Sequence, residues 1–326
     1  LSTIGLSVKT PTDGRVTRHS HGLPAASRYL GTVLLSLEKM KFIRIVLFSL
    51  TFSPALAQPS TEVYIFDLQK VNGNYEVTNP VNVSSNPGLY DNQPSFSVDS
   101  QTLYYVSQDT SKQTDIFFFD IVTGSKTNFS NTSASEYSPT LTPDGKYVSC
   151  IRVVGEQQLL WKFELSTKVP QIIIPDLVVG YHCWWSENTL VTFVLGEPQT
   201  LQINKLETKT NKIVANDIGR SLYNIPGTRL VSFLQNRDNL PPLVQSLDPA
   251  SGEIKNVAEA LADSQDMAWT PNGEILMAQA AKLFMWSPDT KVWKQVADLE
   301  AMFGLKGVTR IAVDPNSRKL ALVVNE

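Results

Sequence analysis

The stretch DNQPSFSVDSQTLYYVSQDTSKQTDIFFFDI, residues 91–121, reads as three short strands joined by turns. Phe96, then Leu103 and Tyr105, then Phe117 supply the aromatic and branched side chains that suit a pleated, half-buried surface. Between the first two strands lies Val98-Asp99-Ser100-Gln101, where an aspartate can bond its own backbone and set a bend. Such a unit leaves open edges and a wet apolar face, so alone it is marginal. It needs copies of itself.

The chain supplies five more: EYSPTLTPDGKYVSCIRVVGEQQLLWKFEL at 136–165, YHCWWSENTLVTFVL from Tyr181, RSLYNIPGTRLVSFL from Arg220, QDMAWTPNGEILMAQ from Gln265 and TRIAVDPNSRKLALVV from Thr309. Aligning the turns at Ser100, Gly145, Asn188, Gly227, Gly273 and Ser317 gives steps of 45, 43, 39, 46 and 44 residues. A period near 44 built of strands alone, with Gly, Asn or Ser at the turn, is the signature of propeller blades. The expected fold is therefore all-β, a six-bladed β-propeller. The sixth copy lacks a strand like IFFFDI, and EVYIFDL at 62–68 has that character. Letting this N-terminal strand complete the last blade, as its outer strand, removes the remaining open edges.

Ahead of that strand the pattern changes twice. Residues 1–39 show no sustained period and are expected to be disordered or an untranslated upstream segment. Met40 opens a basic start with Lys41 and Arg44, an apolar run over 45–52 and Ala55-Leu56-Ala57 before Gln58. That order describes a secretory signal peptide over 40–57, with the propeller as the mature chain, 58–326. From Gln58 onward there are 21 Lys and Arg against 29 Asp and Glu, a net −8 that argues against nucleic acid as a partner. A periplasmic or secreted monomer is expected, with no membrane span after signal cleavage.

The residues that carry chemistry are few. His182 is the one histidine after the leader, and there is no G-x-S-x-G, H-E-x-x-H, G-x-G-x-x-G or P-loop pattern. Cys150 and Cys183 read as buried thiols, although adjacent blades leave a bridge conceivable. Asp99, Asp144, Asp289 and Asp314 read as turn formers, since none belongs to a calcium loop. Trp185 and Trp269 align with Phe96 as residues packed between blades. No metal or cofactor is expected.

The strings SPTLTPDGKYVSCIRV at 138–153 and DMAWTPNGEILMAQ at 266–279 resemble TolB-type propeller repeats, and the resemblance runs over about 62–324. TolB proper carries an α/β domain before its propeller; the resemblance covers the propeller alone, which weakens any transfer of TolB's role in the Tol–Pal envelope system. The family implies a binding or scaffold module for an envelope or secreted protein, a peptide or a glycan. A propeller-type hydrolase or lyase working over the central channel is the alternative, and fold does not choose between them. In register, the residues three places before the inner-strand apolar position are Gln93, Ser138, His182, Arg220, Asp266 and Arg310. Inner strands begin beside the channel, so these six are expected to ring its mouth and bind a ligand there. Two guanidiniums suit a carboxylate or phosphate, with an anionic peptide terminus or acidic side chain preferred.

Overall fold

A computed structural model of the chain describes residues 59–326. The readings made for 1–39, for 40–57 and for a start at Gln58 lie outside the described residues. Within them the chain forms six four-stranded antiparallel sheets arranged in a ring, a six-bladed β-propeller. The innermost strands, in blade order, are Asp91–Phe96, Ser135–Leu141, Val179–Ser186, Ile218–Asn224, Met267–Trp269 and Lys306–Val313. Each apolar face is covered by the next blade, so the core is a set of inter-blade layers: Tyr104, Phe129, Val148 and Phe163 meet between blades one and two, and Leu201, Ile203, Val231 and Phe233 between blades three and four.

The turns after the inner strands follow the repeat. Ser100, Gly145, Gly227, Gly273 and Ser317 have φ of 60, 68, 72, 83 and 51°. That left-handed conformation is cheapest for glycine, and the two serines hold it inside turns closed by Ser100 N–Ser97 O and Ser317 N–Asp314 O bonds of 3.0 Å. Asp99, Asp144 and Asp314 act as turn formers: Asp99 accepts from the Gln101 amide at 3.0 Å, Asp144 from the Lys146 amide at 3.1 Å and Asp314 from the Arg318 amide at 2.6 Å. In blade three Ser186 pairs directly with Thr189, leaving only Glu187 and Asn188 to turn. With bulges on both sides, that inner strand shifts by one residue against the expected register. Trp184 pairs with Leu190 as Trp269 pairs with Ile275, so Trp184, not Trp185, takes the place of Trp269.

Closure differs from the expectation in one respect. The N-terminal segment contributes a hairpin, not one strand: Thr61–Val71 is third in the last blade and Asn74–Asn82 is outermost. Within Thr61–Val71, the apolar residues from Val63 to Leu68 alternate between two faces. Tyr64, Phe66 and Leu68 join Leu283, Leu299 and Leu322 in the layer toward blade five, while Val63 and Ile65 join Leu103, Tyr105 and Val323 toward blade one. One strand thus seals two interfaces. Asn74–Asn82 was missed because NYEVTNPVN is polar and holds a proline, features that suit an edge strand. The one helix among the described residues, Leu299–Phe303, is capped by Asp298, whose Oδ1 accepts from Ala301 N at 3.1 Å, and ends at Gly304 with φ 71°.

Candidate functional site

The inner strands enclose a central cavity of about 560 Å³, and Gln93, Ser138, His182, Arg220, Asp266 and Arg310 all line it. The cavity reaches the inner-strand turns at Val98, Pro143 and Pro315, and Val98 is 75% exposed. The six residues sit toward the opposite, inner end. His182, Asp266 and Arg310 are buried, and Arg220, Asp266 and Arg310 also line a second cavity of about 160 Å³. This trio is therefore the wall between two cavities. The six form a floor rather than the rim expected of a mouth, because long side chains from blades three to six fill the axis at their level.

Two of the floor residues owe their placement to bulges. Gln93 and Ser138 have φ of 55 and 54° where the pairing of their strands slips. A non-glycine residue held there costs on the order of 1–3 kcal/mol and persists only where its surroundings fix it. The fixing contact is between them: the Gln93 side-chain carbonyl accepts from the Ser138 amide at 2.8 Å.

The charged trio is unevenly satisfied. Arg310 Nη1 lies 3.3 Å from Asp266 Oδ2, its Nη2 donates to Tyr181 Oη at 3.0 Å, and its guanidinium sits 5.0 Å from the Tyr181 ring centre. Burial works against this charge, but Tyr181 and Asp266 hold its proton more firmly than in an ordinary arginine. Ser221 Oγ donates to Asp266 Oδ1 at 3.3 Å. Burial pushes the Asp266 carboxyl up, partly offset by Arg310 and Arg220. Arg220 has less support: its Nη2 donates to the Thr309 carbonyl at 2.7 Å, and its buried Nε has no partner. Burial and then repulsion from Arg310 lower its affinity for the proton. Two guanidiniums face one carboxylate, so the floor carries a cationic surplus.

His182 is set differently from a catalytic base. Its Nε2 lies 2.7 Å from Ser149 Oγ, but Ser149 is wholly buried, does not line the cavity and also receives Trp184 Nε1 at 2.8 Å. No carboxylate orients Nδ1, which has no partner, and burial lowers the ring's pKa to about 3. A Ser–His nucleophile needs a base that takes the proton near working pH and a serine that meets substrate. Neither condition is met. Cys150 and Cys183 are free and buried; burial pushes the Cys183 thiol up to about 12 and Cys150 well above its usual value. Among the described residues no three His, Cys, Asp or Glu converge closely enough to hold a metal ion.

Sequence reasoning missed Tyr181, Ser221 and Tyr223 as site residues; Tyr223 Oη donates to the Ile311 carbonyl at 2.9 Å, tying blade four to blade six across the channel. One-residue slips in blades three and four hid Tyr181 and Ser221, which sit where Asp266 sits in blade five; Asn224, not Tyr223, takes the place of Trp269 in blade four.

No protein-family model matches the chain, and no curated protein matches it in sequence. Solved structures do resemble it. TolB from Acinetobacter baumannii superposes with a TM-score of 0.53 at 14% identity, over 82% of this chain and 64% of that one. A TolB candidate from Agrobacterium tumefaciens gives 0.63 at 10% identity, over 83% and 99%. An oligogalacturonate lyase in complex with manganese gives 0.54 at 11% identity, over 77% and 82%. This chain thus spans less than two thirds of the Acinetobacter TolB. At these identities the likeness concerns architecture, and in architecture the chain is a six-bladed β-propeller.

Proposed function

We propose that the propeller is an exported binding module whose central cavity holds an anionic group of a protein or peptide partner, with Arg220 as its principal contact. The observation that carries this reading is the cationic surplus of the floor, where Arg220 and Arg310 line the cavity beside the single carboxylate of Asp266. Arg310 is paired with Asp266 while Arg220 bonds only the Thr309 carbonyl, so among the described residues its guanidinium has no carboxylate partner, and an anionic ligand supplies one through charge-assisted bonds. Arg310, held by Asp266 and Tyr181, positions the floor and adds charge. The cavity volume falls within the range of ligand sites, and its walls combine apolar surface with few convergent polar groups. Binding is favoured over hydrolysis by the setting of His182 and Ser149. Export rests on the leader read at 40–57 and on the acidic mature chain; no helix among the described residues is long and apolar enough to cross a membrane.

The test is calorimetric titration with a panel of tetrapeptides carrying free or amidated C termini. Free acids are expected to bind and amides to bind at least tenfold more weakly. Arg220→Ala is expected to abolish the preference, and Arg310→Ala to reduce it while disturbing the floor. Unchanged binding by a folded Arg220→Ala protein contradicts the proposal. Mass spectrometry of exported protein is expected to show a chain starting at Gln58; retention of Leu1 to Lys39 contradicts the export reading.

A further inference from the structure

Charge in the central cavity is confined to its floor. Among the described residues that line it, Arg220, Asp266 and Arg310 are the charged ones, and burial keeps His182 neutral, with a ring pKa of about 3. Toward the inner-strand turns the lining is apolar in four blades. Phe96 in blade one, Leu141 in blade two, Trp185 in blade three and Val313 in blade six are all half-buried there, with Val98 beyond them at the turns. Four single-proton donors in the lining are committed to the protein itself. Ser95 Oγ donates to the Pro139 carbonyl at 2.6 Å, Thr142 Oγ1 to Asp144 Oδ1 at 2.6 Å, Trp185 Nε1 to the Arg229 carbonyl at 2.8 Å and Tyr223 Oη to the Ile311 carbonyl at 2.9 Å. The Arg229 guanidinium sits 4.8 Å from the Trp185 ring centre but does not line the cavity.

We propose that the ligand is a monoanionic apolar acid: one carboxylate on the floor, carried on an aliphatic or aromatic body that packs against Phe96, Leu141, Trp185 and Val313. This rests on the anion-binding reading above and specifies what the anion is attached to. At about 560 Å³ the cavity is far larger than a carboxylate, so most of its wall meets the rest of the ligand. A hydrocarbon body gains by leaving water for such a wall. A second anionic group above the floor meets no lining cation and leaves water at a cost. A sugar ring gives up its bonds to water and is offered few protons in return. Glycans and runs of acidic residues are therefore disfavoured as occupants. A peptide ending in leucine or phenylalanine and a small alkyl or aryl carboxylic acid share the favoured chemistry.

The experiment titrates the parent protein with free-acid tetrapeptides that share three alanines and end in leucine, phenylalanine, serine or glutamate, and with 3-phenylpropionate and digalacturonate. A fully buried leucine or phenylalanine side chain is expected to tighten binding about tenfold to a hundredfold over serine. The glutamate peptide and digalacturonate are expected to bind no tighter than the serine peptide. Equal binding of all the peptides, with amidated C termini still rejected, overturns the apolar body and leaves the anion reading standing. Tighter binding of the glutamate peptide or of digalacturonate than of the leucine and phenylalanine peptides does the same. Failure of every free acid overturns both. Tightness retained by 3-phenylpropionate assigns the site to small apolar acids, and tightness found only with the leucine or phenylalanine peptide assigns it to chain termini; either supports the proposal.

Discussion

At the scale of single residues, two buried polar positions have consequences that stability measurements read directly. Ser149 and Ser232 occupy equivalent places in blades two and four, and each receives a tryptophan N–H. Ser149 also meets His182, whereas Ser232 has no such neighbour. Removing a shared acceptor strands every donor that used it, at about 1–3 kcal/mol each. Ser149→Ala is therefore expected to cost about 1–3 kcal/mol more than Ser232→Ala in urea unfolding; equal losses contradict the shared bonding. Asp91 lies wholly buried where blade one meets the closing strand. Burial raises its pKa to about 7, Glu62 adds to the rise, and Ser107, Asn86 and Lys126 oppose it. A carboxyl raised in the folded state binds its proton more tightly there than when unfolded. Its contribution is full below pH 4 and is lost as pH climbs to about 7. At 1.36 kcal/mol per pKa unit, Asp91→Asn is expected to be more stable than the parent at pH 8 by on the order of 2–4 kcal/mol, and to lose that advantage toward pH 4. A difference that does not vary with pH contradicts the assignment.

At the scale of elements, the closing hairpin and the third inner strand show what the sequence discloses and what it withholds. EVYIFDL announced itself as a strand because its apolar residues serve both faces, and in the structure they fill two inter-blade layers. Its partner NYEVTNPVN did not, since an outermost strand buries little and needs no apolar alternation. Side-chain bonds hold this hairpin within its own blade and to the adjacent blade five: Lys319 Nζ meets Asp67 Oδ1 at 2.6 Å across the neighbouring strand, Tyr75 Oη donates to Glu274 Oε2 at 3.2 Å, and Lys70 pairs with Glu274. Phe66 is wholly buried, so Phe66→Ala is expected to cost about 3–5 kcal/mol. A chain beginning at Gln69 loses the strand between Lys319–Asn325 and the hairpin's outer strand, and is expected to aggregate or to unfold without a cooperative transition. A well-folded monomer with unchanged melting contradicts the closure. The blade-three register was misread by one residue because Trp184 and Trp185 are adjacent and chemically alike. Only the two-residue turn and flanking bulges decide which one faces inward.

At the scale of the molecule, the six-fold repeat makes the channel, and departures from the repeat make its chemistry. Blades five and six place Asp266 and Arg310 at one level; blades one and two place Gln and Ser there in a left-handed conformation; blades three and four place Tyr181 and Ser221 there, with His182 and Arg220 beside them. That these residues share a cavity could be read from their register. That they form its floor could not, because it depends on how far long side chains reach across the axis. The central claim is that this floor binds a carboxylate at Arg220. The most direct measurement is a crystal structure of the protein with the tightest free-acid tetrapeptide. The expected result is the terminal carboxylate within hydrogen-bonding distance of the Arg220 guanidinium inside the cavity. A peptide bound on an outer face or between blades, with no contact to Arg220, contradicts the account.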